Sequence, residues 1–180
     1  MKNLRLGIWL PLALFAALFA LFAHGLMRPT NTNVASAFVG NPLPQFNLPA
    51  AAADRPGLTT AAFRTGKPHL LNVFASWCLP CAAEAPQLAA LAQAGVPIEG
   101  VAIHDQADDL ARFLANNGNP YAAIGRDDKR AVQIAIGSSG VPETYVIDGQ
   151  GVIRYQHIGD IRAEDVAVLL DKLKAAGGGS

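Results

Sequence analysis

The feature that most constrains this chain is a pair of cysteines placed where a buried strand gives way to a helix. Cys78 and Cys81 are the only cysteines in the sequence, with two residues between them. Residues 70–75 are apolar and partly β-branched, which predicts a buried strand, whereas 82–94 are rich in Ala, Leu, Gln and Glu, which predicts a helix. The chain must therefore present both thiols at a strand-to-helix junction.

This junction favours a reactive thiol. A helix N-terminus carries about half a positive charge and unpaired N–H groups, which favour a thiolate over a thiol. We expect Cys78 to attack, because it caps the helix and is the less buried cysteine, and Cys81 to resolve the mixed disulfide. Two alternatives remain open, a static disulfide and a zinc site completed by His69 or His104.

The N-terminal region is more apolar than a soluble domain needs. No charged residue lies between Arg5 and Arg28, and the run from Leu6 to Met27 would span about 33 Å as a helix, against about 30 Å of bilayer hydrocarbon. Basic residues before the run predict a cytoplasmic N-terminus. A cleaved signal peptide is the competing interpretation, but Leu21 fits poorly at the −3 position before a cleavage after Ala23.

The remainder of the chain has the composition of one exported, redox-active domain. All 14 acidic residues lie at or beyond Asp54, and no basic stripe with interleaved aromatics indicates a nucleic-acid partner. A single cysteine pair also argues against a disulfide-dense scaffold. We predict an anchor over residues 1–27, a tether over 28–39, a domain over 40–176 and a flexible tail over 177–180.

The hydropathy pattern predicts an α/β fold with a parallel β-α-β unit around the cysteines. Pro86 should bend the first helix of this unit. The segment 40–49 has room for one edge strand, and 58–63 is ambiguous between strand and helical turn. The remaining predicted elements are strands at 96–103, 121–124, 143–147 and 152–158, and helices at 80–94, 108–117, 127–136 and 163–176.

This order of elements resembles the thioredoxin fold, a central mixed sheet flanked by helices in three layers. Trp77 directly precedes the first cysteine and Pro80 the second, while Pro86 stands where thioredoxins kink this helix. Val141-Pro142 heads the hairpin strand, where the family places its cis-proline. If the Val141-Pro142 bond is cis, the N–H and C=O of Val141 are free to bind an extended substrate beside the redox-active pair. We count Trp77 with them and expect it to pack under the motif and restrict the approach of the substrate. The alternative is that Trp77 only fills the core.

Within that fold the chain resembles the membrane-tethered cytochrome c maturation oxidoreductases of the CcmG/DsbE type. The resemblance implies a periplasmic reductant held at the bacterial inner membrane, without metal or other cofactor. Electrons would arrive from a membrane thiol-disulfide transporter and pass to apocytochrome c or to a maturation factor. One departure, at residues 103–106, puts partner contacts there in doubt. The stretches that carry the resemblance are 40–46, 70–84, 118–122, 140–144 and 148–155.

The motif itself predicts a reductant. Leu79 and Pro80 supply no positive charge, so the Cys78 thiolate should be less stabilised than in strongly oxidising relatives of thioredoxin. A less stabilised thiolate makes the dithiol easier to oxidise, which suits an electron donor.

Proton transfer at Cys81 needs a nearby base. Thioredoxins have a buried aspartate six residues before the first cysteine, but here that position is Asn72, which cannot titrate. Glu84 lies one helical turn after Cys81, and Glu143 directly follows Pro142. We predict that Glu84 is the principal acid–base group and that Glu143 assists it by like-charge repulsion. The alternative is that Glu84 is only a solvated helix residue.

Two other functions remain open at this stage. The first is a general periplasmic disulfide reductase of the same fold. The second is a non-catalytic module that binds haem or apocytochrome and uses the cysteines as a clamp.

Overall fold

The computed structural model describes residues 2–26 and 38–178. The chain divides into two units, residues 1–35 and 36–180. The first contains helix α1, Lys2–Leu26, with Pro11 inside it. Across the described residues no helix is both long and apolar enough to cross a membrane, so the predicted span over residues 6–27 is not confirmed. Most of the predicted tether, and residues 179–180 of the predicted tail, lie outside the described residues.

The second unit is an α/β domain with a short 3-10 helix at Thr60–Phe63. Its strands are β1 Asn47–Leu48, β2 Leu58–Thr59, β3 His69–Phe74, β4 Ile98–Ile103, β5 Ala123–Asp127, β6 Glu143–Ile147 and β7 Ile153–Ile158. Its helices are α2 Leu79–Gln93, α3 Ala107–Asn117, α4 Ala131–Ala135 and α5 Ala163–Gly177.

A five-stranded mixed sheet in the order β5-β4-β3-β6-β7 forms the centre of the domain. β3 pairs in parallel with β4, as the β-α-β prediction requires, and antiparallel with β6. Every residue of β3 and β4 is buried, which explains their continuous apolar runs. Helix α2 packs against both α3 and α5. The central strand β3 ends at Phe74, so the cysteine motif follows it directly in the chain.

The structure resolves one ambiguous segment and corrects two local predictions. Residues 58–63 are both strand and helical turn, because β2 runs into the 3-10 helix. β5 begins at Ala123 instead of Tyr121, and the buried ring of Tyr121 stacks on Phe74 at 4.7 Å just before the strand. α4 begins only at Ala131. Asp127, which we placed in its first turn, ends β5 instead, and its carboxylate accepts the N–H groups of residues 131, 132 and 133.

Candidate active site

The two cysteines form a disulfide at the start of α2, with a Sγ–Sγ distance of 2.07 Å. Cys78 is the N-cap residue, and its Sγ accepts a hydrogen bond from the N–H of Cys81 at 3.2 Å. The predicted helix-capping position of Cys78 is therefore confirmed. Cys78 is 5% exposed and Cys81 2%, so both residues are buried and Cys78 is the slightly more accessible one.

A groove of about 480 Å³ opens beside Cys78 and does not include Cys81. One wall is the motif itself and the other is the exposed face of α3. Leu79 is 82% exposed at the rim, which leaves an apolar side chain facing any partner. An incoming disulfide therefore reaches Cys78 first. The lining residues are Ser76, Trp77, Cys78, Leu79, Ala82, Asp109, Arg112, Phe113, Asn116 and Asn117.

Trp77 stands at the mouth of this groove. The sequence suggested either that it packs beneath the motif or that it fills the core, and both interpretations are wrong, because the side chain is 56% exposed. Its indole Nε1 donates a hydrogen bond to the carbonyl oxygen of His104 at 3.2 Å. The ring is thus held from one edge while its face remains open to a substrate.

The loop after β4 supports the turn that leads to the cysteines. The carboxylate of Asp105 accepts hydrogen bonds from the N–H of Ser76 at 2.6 Å and from its hydroxyl at 2.5 Å. Sequence reasoning noted this segment only as a departure from the family pattern. It missed Asp105, because its partner is 29 positions away and only the pairing of β3 with β4 brings the two together.

Glu84 is buried under the motif, which excludes the alternative of a solvated helix residue. Its Oε1 accepts a hydrogen bond from Nδ2 of Asn72 and its Oε2 accepts one from the N–H of Ile161, both at 3.0 Å. Burial raises the pKa of Glu84 from 4.5 to about 7, against the lowering effect of the two hydrogen bonds. Such a carboxyl exchanges its proton near neutral pH, as acid–base work requires.

Asn72 connects Glu84 to two further buried side chains. Its Nδ2 also donates to the Thr144 hydroxyl at 3.0 Å, and its Oδ1 accepts the Tyr121 hydroxyl at 2.8 Å. Burial, together with the negative charge of Glu84, raises the pKa of Tyr121 well above its ordinary value, so the phenol keeps its proton. Sequence reasoning missed Tyr121, although it lies in one of the stretches that carry the family resemblance.

Glu143 lies on the other face of the sheet. Thr144 points toward Asn72 and α2, and adjacent residues of a strand point to opposite faces. The two carboxylate oxygens of Glu143 accept hydrogen bonds from Ser139, Gly140, Tyr145 and Gln156 at 2.6–3.2 Å. The structure therefore does not bring Glu143 together with Glu84, and it ties Glu143 to the loop that precedes Pro142.

That loop contains a cis peptide bond between Val141 and Pro142. Val141 is half-buried and lies just before β6. Within residues 38–178 its N–H and C=O groups make no backbone hydrogen bond, whereas the carbonyl of Pro142 accepts the N–H of Gly159 at 3.0 Å. An extended peptide has an unused donor and acceptor there.

The zinc alternative does not fit the position of His69. Its ring nitrogens are hydrogen-bonded to Glu99 at 2.9 Å and to Thr65 at 2.7 Å. It also begins β3, whereas the cysteines follow the other end of that strand. Among the described residues no three His, Cys, Asp or Glu side chains are grouped to hold a metal ion.

Known proteins are similar to this chain in both sequence and fold. The redoxin family matches residues 38–173. A thiol:disulfide interchange protein DsbE from Yersinia pestis is 40% identical over 160 residues, 86% of this chain and 84% of that protein. The DsbE protein of Escherichia coli K12 is 38% identical over 163 residues, 87% of each chain.

Among solved structures, a putative DsbE from Chlorobium tepidum superposes with a TM-score of 0.64 at 27% identity. The match covers 78% of this chain and 98% of that one. It confirms the predicted thioredoxin-like α/β fold with its central mixed sheet. The curated relatives and the family match, together with the paired cysteines, confirm a thiol:disulfide oxidoreductase. The chain belongs to the redoxin family, among the thiol:disulfide interchange proteins of the DsbE type.

Proposed function

We propose that this protein is a periplasmic reductant in cytochrome c maturation. Its substrate is the disulfide of the CxxCH haem-attachment motif of apocytochrome c, or a disulfide on a maturation factor that handles it. The observation that carries the proposal is Cys78, which lines the groove, together with Cys81 one helical turn before a buried Glu84 whose pKa is raised to about 7. This arrangement joins a nucleophile to a proton acceptor that works at neutral pH.

The first step forms a mixed disulfide. The Cys78 thiolate attacks one sulfur of the substrate disulfide, and the other substrate sulfur leaves and takes up a proton. The helix N-terminus stabilises the thiolate, since Sγ of Cys78 accepts the N–H of Cys81 even in the oxidised form. Val141 offers its N–H and C=O to an extended substrate segment, and Trp77 covers one side of it.

The second step releases the product. Cys81 loses its proton, attacks Sγ of Cys78, and displaces the second substrate sulfur as a thiol. Glu84 is the acceptor for the Cys81 proton, because the two residues are three apart on α2 and lie on one helix face. Glu84 then gives this proton to the departing sulfur, while the sulfur released in the first step takes its proton from water. Two electrons have passed to the substrate, and the protein is left with the Cys78–Cys81 disulfide.

Glu143 has a positioning role in this scheme. It holds Ser139 and Gly140, and so fixes the loop that presents Val141 and Pro142. We therefore keep Glu84 as the acid–base group and withdraw the assisting role from Glu143, whose side chain belongs to the opposite face of the sheet.

A protein that reduces disulfides in an oxidising compartment must itself be reduced again after each reaction, so it needs a dedicated electron donor. We propose that a membrane thiol-disulfide transporter reduces Cys78–Cys81, and that the charge-free run from Leu6 to Met27 anchors the protein once in the inner membrane, with the domain in the periplasm. The anchor rests on the sequence alone. It would keep the domain within reach of a membrane donor.

Trapping tests the proposal. In full-length Cys81→Ala protein the mixed disulfide on Cys78 cannot be resolved, so the attached protein can be isolated from the periplasm and identified. We expect an apocytochrome c or a maturation factor. The matched control, Cys78→Ala, should trap neither. Recovery of a broad set of unrelated periplasmic proteins would instead favour a general disulfide reductase and would refute a role in cytochrome c maturation.

A further inference from the structure

Behind the motif, Glu84 belongs to a hydrogen-bond chain whose other members have no role in the proposed mechanism. Tyr121 donates to Oδ1 of Asn72 at 2.8 Å, and Nδ2 of Asn72 donates to Glu84 at 3.0 Å. All three side chains are buried. The second amide hydrogen of Asn72 goes to Thr144 at 3.0 Å. The carbonyl and the amino group of the Asn72 side chain are thus both engaged, in a site closed to bulk water.

The orientation of this amide has to be fixed by its partners. The two ends of an asparagine amide are nearly the same size, but one only accepts hydrogen bonds and the other only donates them. Thr144 can donate or accept, so it favours neither orientation. Glu84 accepts when ionised but can donate when protonated, so its preference changes during catalysis. Tyr121 is the remaining partner, and a phenol that keeps its proton is a better donor than acceptor.

We propose that Tyr121 is a positioning residue whose hydroxyl holds the carbonyl end of Asn72, so that the amino end always faces the carboxyl of Glu84. Tyr121 touches neither cysteine in this assignment. It acts through Asn72, and it favours the ionised form of Glu84 by keeping a donor aimed at Oε1. Its bond to the carbonyl also polarises the amide and strengthens the donation to Glu84.

The surroundings of Tyr121 fit this role, because they fix the ring independently of its hydroxyl. The ring stacks on Phe74 with centroids 4.7 Å apart and planes 17° from parallel. Gly100 leaves room for this pair, since a Cβ there would lie 2.9 Å from the Phe74 ring and 3.1 Å from that of Tyr121. The carbonyl of Tyr121 accepts Nε of Arg55 at 2.7 Å. Removal of the hydroxyl alone should leave the ring in place.

The expected consequence is a change in the proton affinity of Glu84. The hydrogen bond from Asn72 lowers the pKa of Glu84 against the larger effect of burial. If the amide loses its fixed orientation, that lowering weakens and the pKa rises further. This inference rests on the proposed function in one respect, namely that Glu84 takes the proton of Cys81.

The experiment compares Tyr121→Phe with the wild-type protein in the disulfide form. The Glu84 carboxyl carbon is followed by NMR during a pH titration, with Glu84→Gln used to assign the signal. We expect the midpoint to move up on the order of half a pH unit, about threefold in proton affinity. The matched control is Tyr155→Phe, which removes a half-exposed hydroxyl on β7 and should leave the midpoint unchanged. An unchanged midpoint in Tyr121→Phe would overturn the proposal, as would an equal shift in both variants.

A second substitution keeps the test decisive if Tyr121→Phe does not fold. Replacement of Tyr121 by 3-fluorotyrosine preserves the ring and makes the hydroxyl a stronger donor. The Glu84 midpoint should then move down, and a midpoint that stays or rises counts against the proposal.

The rate of disulfide reduction, measured over the same pH range, separates this inference from the proposed function. If Tyr121→Phe moves the Glu84 titration midpoint and the inflection of the pH–rate profile together, both the positioning role of Tyr121 and the acid–base role of Glu84 are supported. If the titration moves while the rate profile does not, Tyr121 still positions Asn72, but the acid–base role of Glu84 fails.

Discussion

The carboxylate of Asp105 binds both the N–H and the hydroxyl of Ser76, at 2.6 and 2.5 Å. This pair ties the loop after β4 to the turn that follows β3. Trp77 is held by the same loop through the carbonyl of His104. The geometry of the groove beside Cys78 therefore depends on a segment that carries no cysteine.

Replacement of Asp105 by Asn should loosen this turn. The two hydrogen bonds from Ser76 end on different carboxylate oxygens, and in asparagine one of these is replaced by an N–H₂ donor. We therefore expect a loss of about 1–3 kcal/mol in the free energy of unfolding. We also expect slower reduction of a protein disulfide. Urea denaturation and an insulin-reduction assay measure the two effects. Asp108→Asn, at an exposed position on α3, is the control, and equal behaviour of the two variants would contradict the prediction.

Replacement of Glu84 by Gln should slow the resolving step. Glutamine fills the same space but cannot take the Cys81 proton, so we expect the rate of product release to fall about 100-fold at pH 7. The inflection of the rate near pH 7 should disappear with it. Single-turnover kinetics between pH 5 and 9 would measure both quantities. A variant that retains wild-type rates and the same inflection would sink the role of Glu84.

The same carboxyl should make stability depend on pH. Its pKa is about 7 in the folded protein and 4.5 as the ordinary value, so between these limits the folded state binds more protons than the unfolded state. Stability from this group is therefore greatest below about pH 4.5, falls as the pH rises, and levels off above about 7. The loss is on the order of 3 kcal/mol. Relative to Glu84→Gln, the wild-type protein should lose this amount in urea denaturation across that range, and parallel curves would exclude it.

Replacement of Glu143 by Gln should affect large substrates more than small ones. The amide would place an N–H₂ group among donors from Ser139, Tyr145 and Gln156, so the loop before Pro142 loses its support. We expect KM for a protein disulfide to rise about tenfold, equivalent to about 1.4 kcal/mol, with little change for a small aromatic disulfide. Glu164→Gln, near the start of α5, is the control. A loss of rate that is equal for both substrates would argue for acid–base work by Glu143 instead.

The sequence predicts the part of the site that is local along the chain. Cys78, Cys81 and Glu84 lie within two helical turns, and the 3.6-residue period places them correctly. The apolar runs also predict β3 and β4, because strands buried on both faces lack alternation. The redox-active cysteine pair, its neighbouring glutamate and the two central strands can therefore be predicted from residues close together in the sequence.

The rest of the site depends on contacts between distant residues. Asn72 meets Tyr121 across 49 positions and Thr144 across 72, and strand pairing and packing bring them together. The position of Glu143 directly after Pro142 predicts that its side chain lies beside the disulfide. Strand alternation turns its side chain to the other face, which proximity along the chain does not reveal.

The central position of β3 has a consequence for the choice of substrate. β3, the strand that leads to Cys78, is hydrogen-bonded to a neighbouring strand on each side. We therefore expect its backbone amides to exchange with solvent only when the whole domain unfolds. Cys78 thus follows a rigid strand, and we expect the backbone that positions its sulfur not to change shape when a partner binds. The other molecule then has to adapt its shape. An unfolded polypeptide, such as the apocytochrome of the proposed function, can do so without breaking tertiary contacts of its own, although it loses conformational entropy.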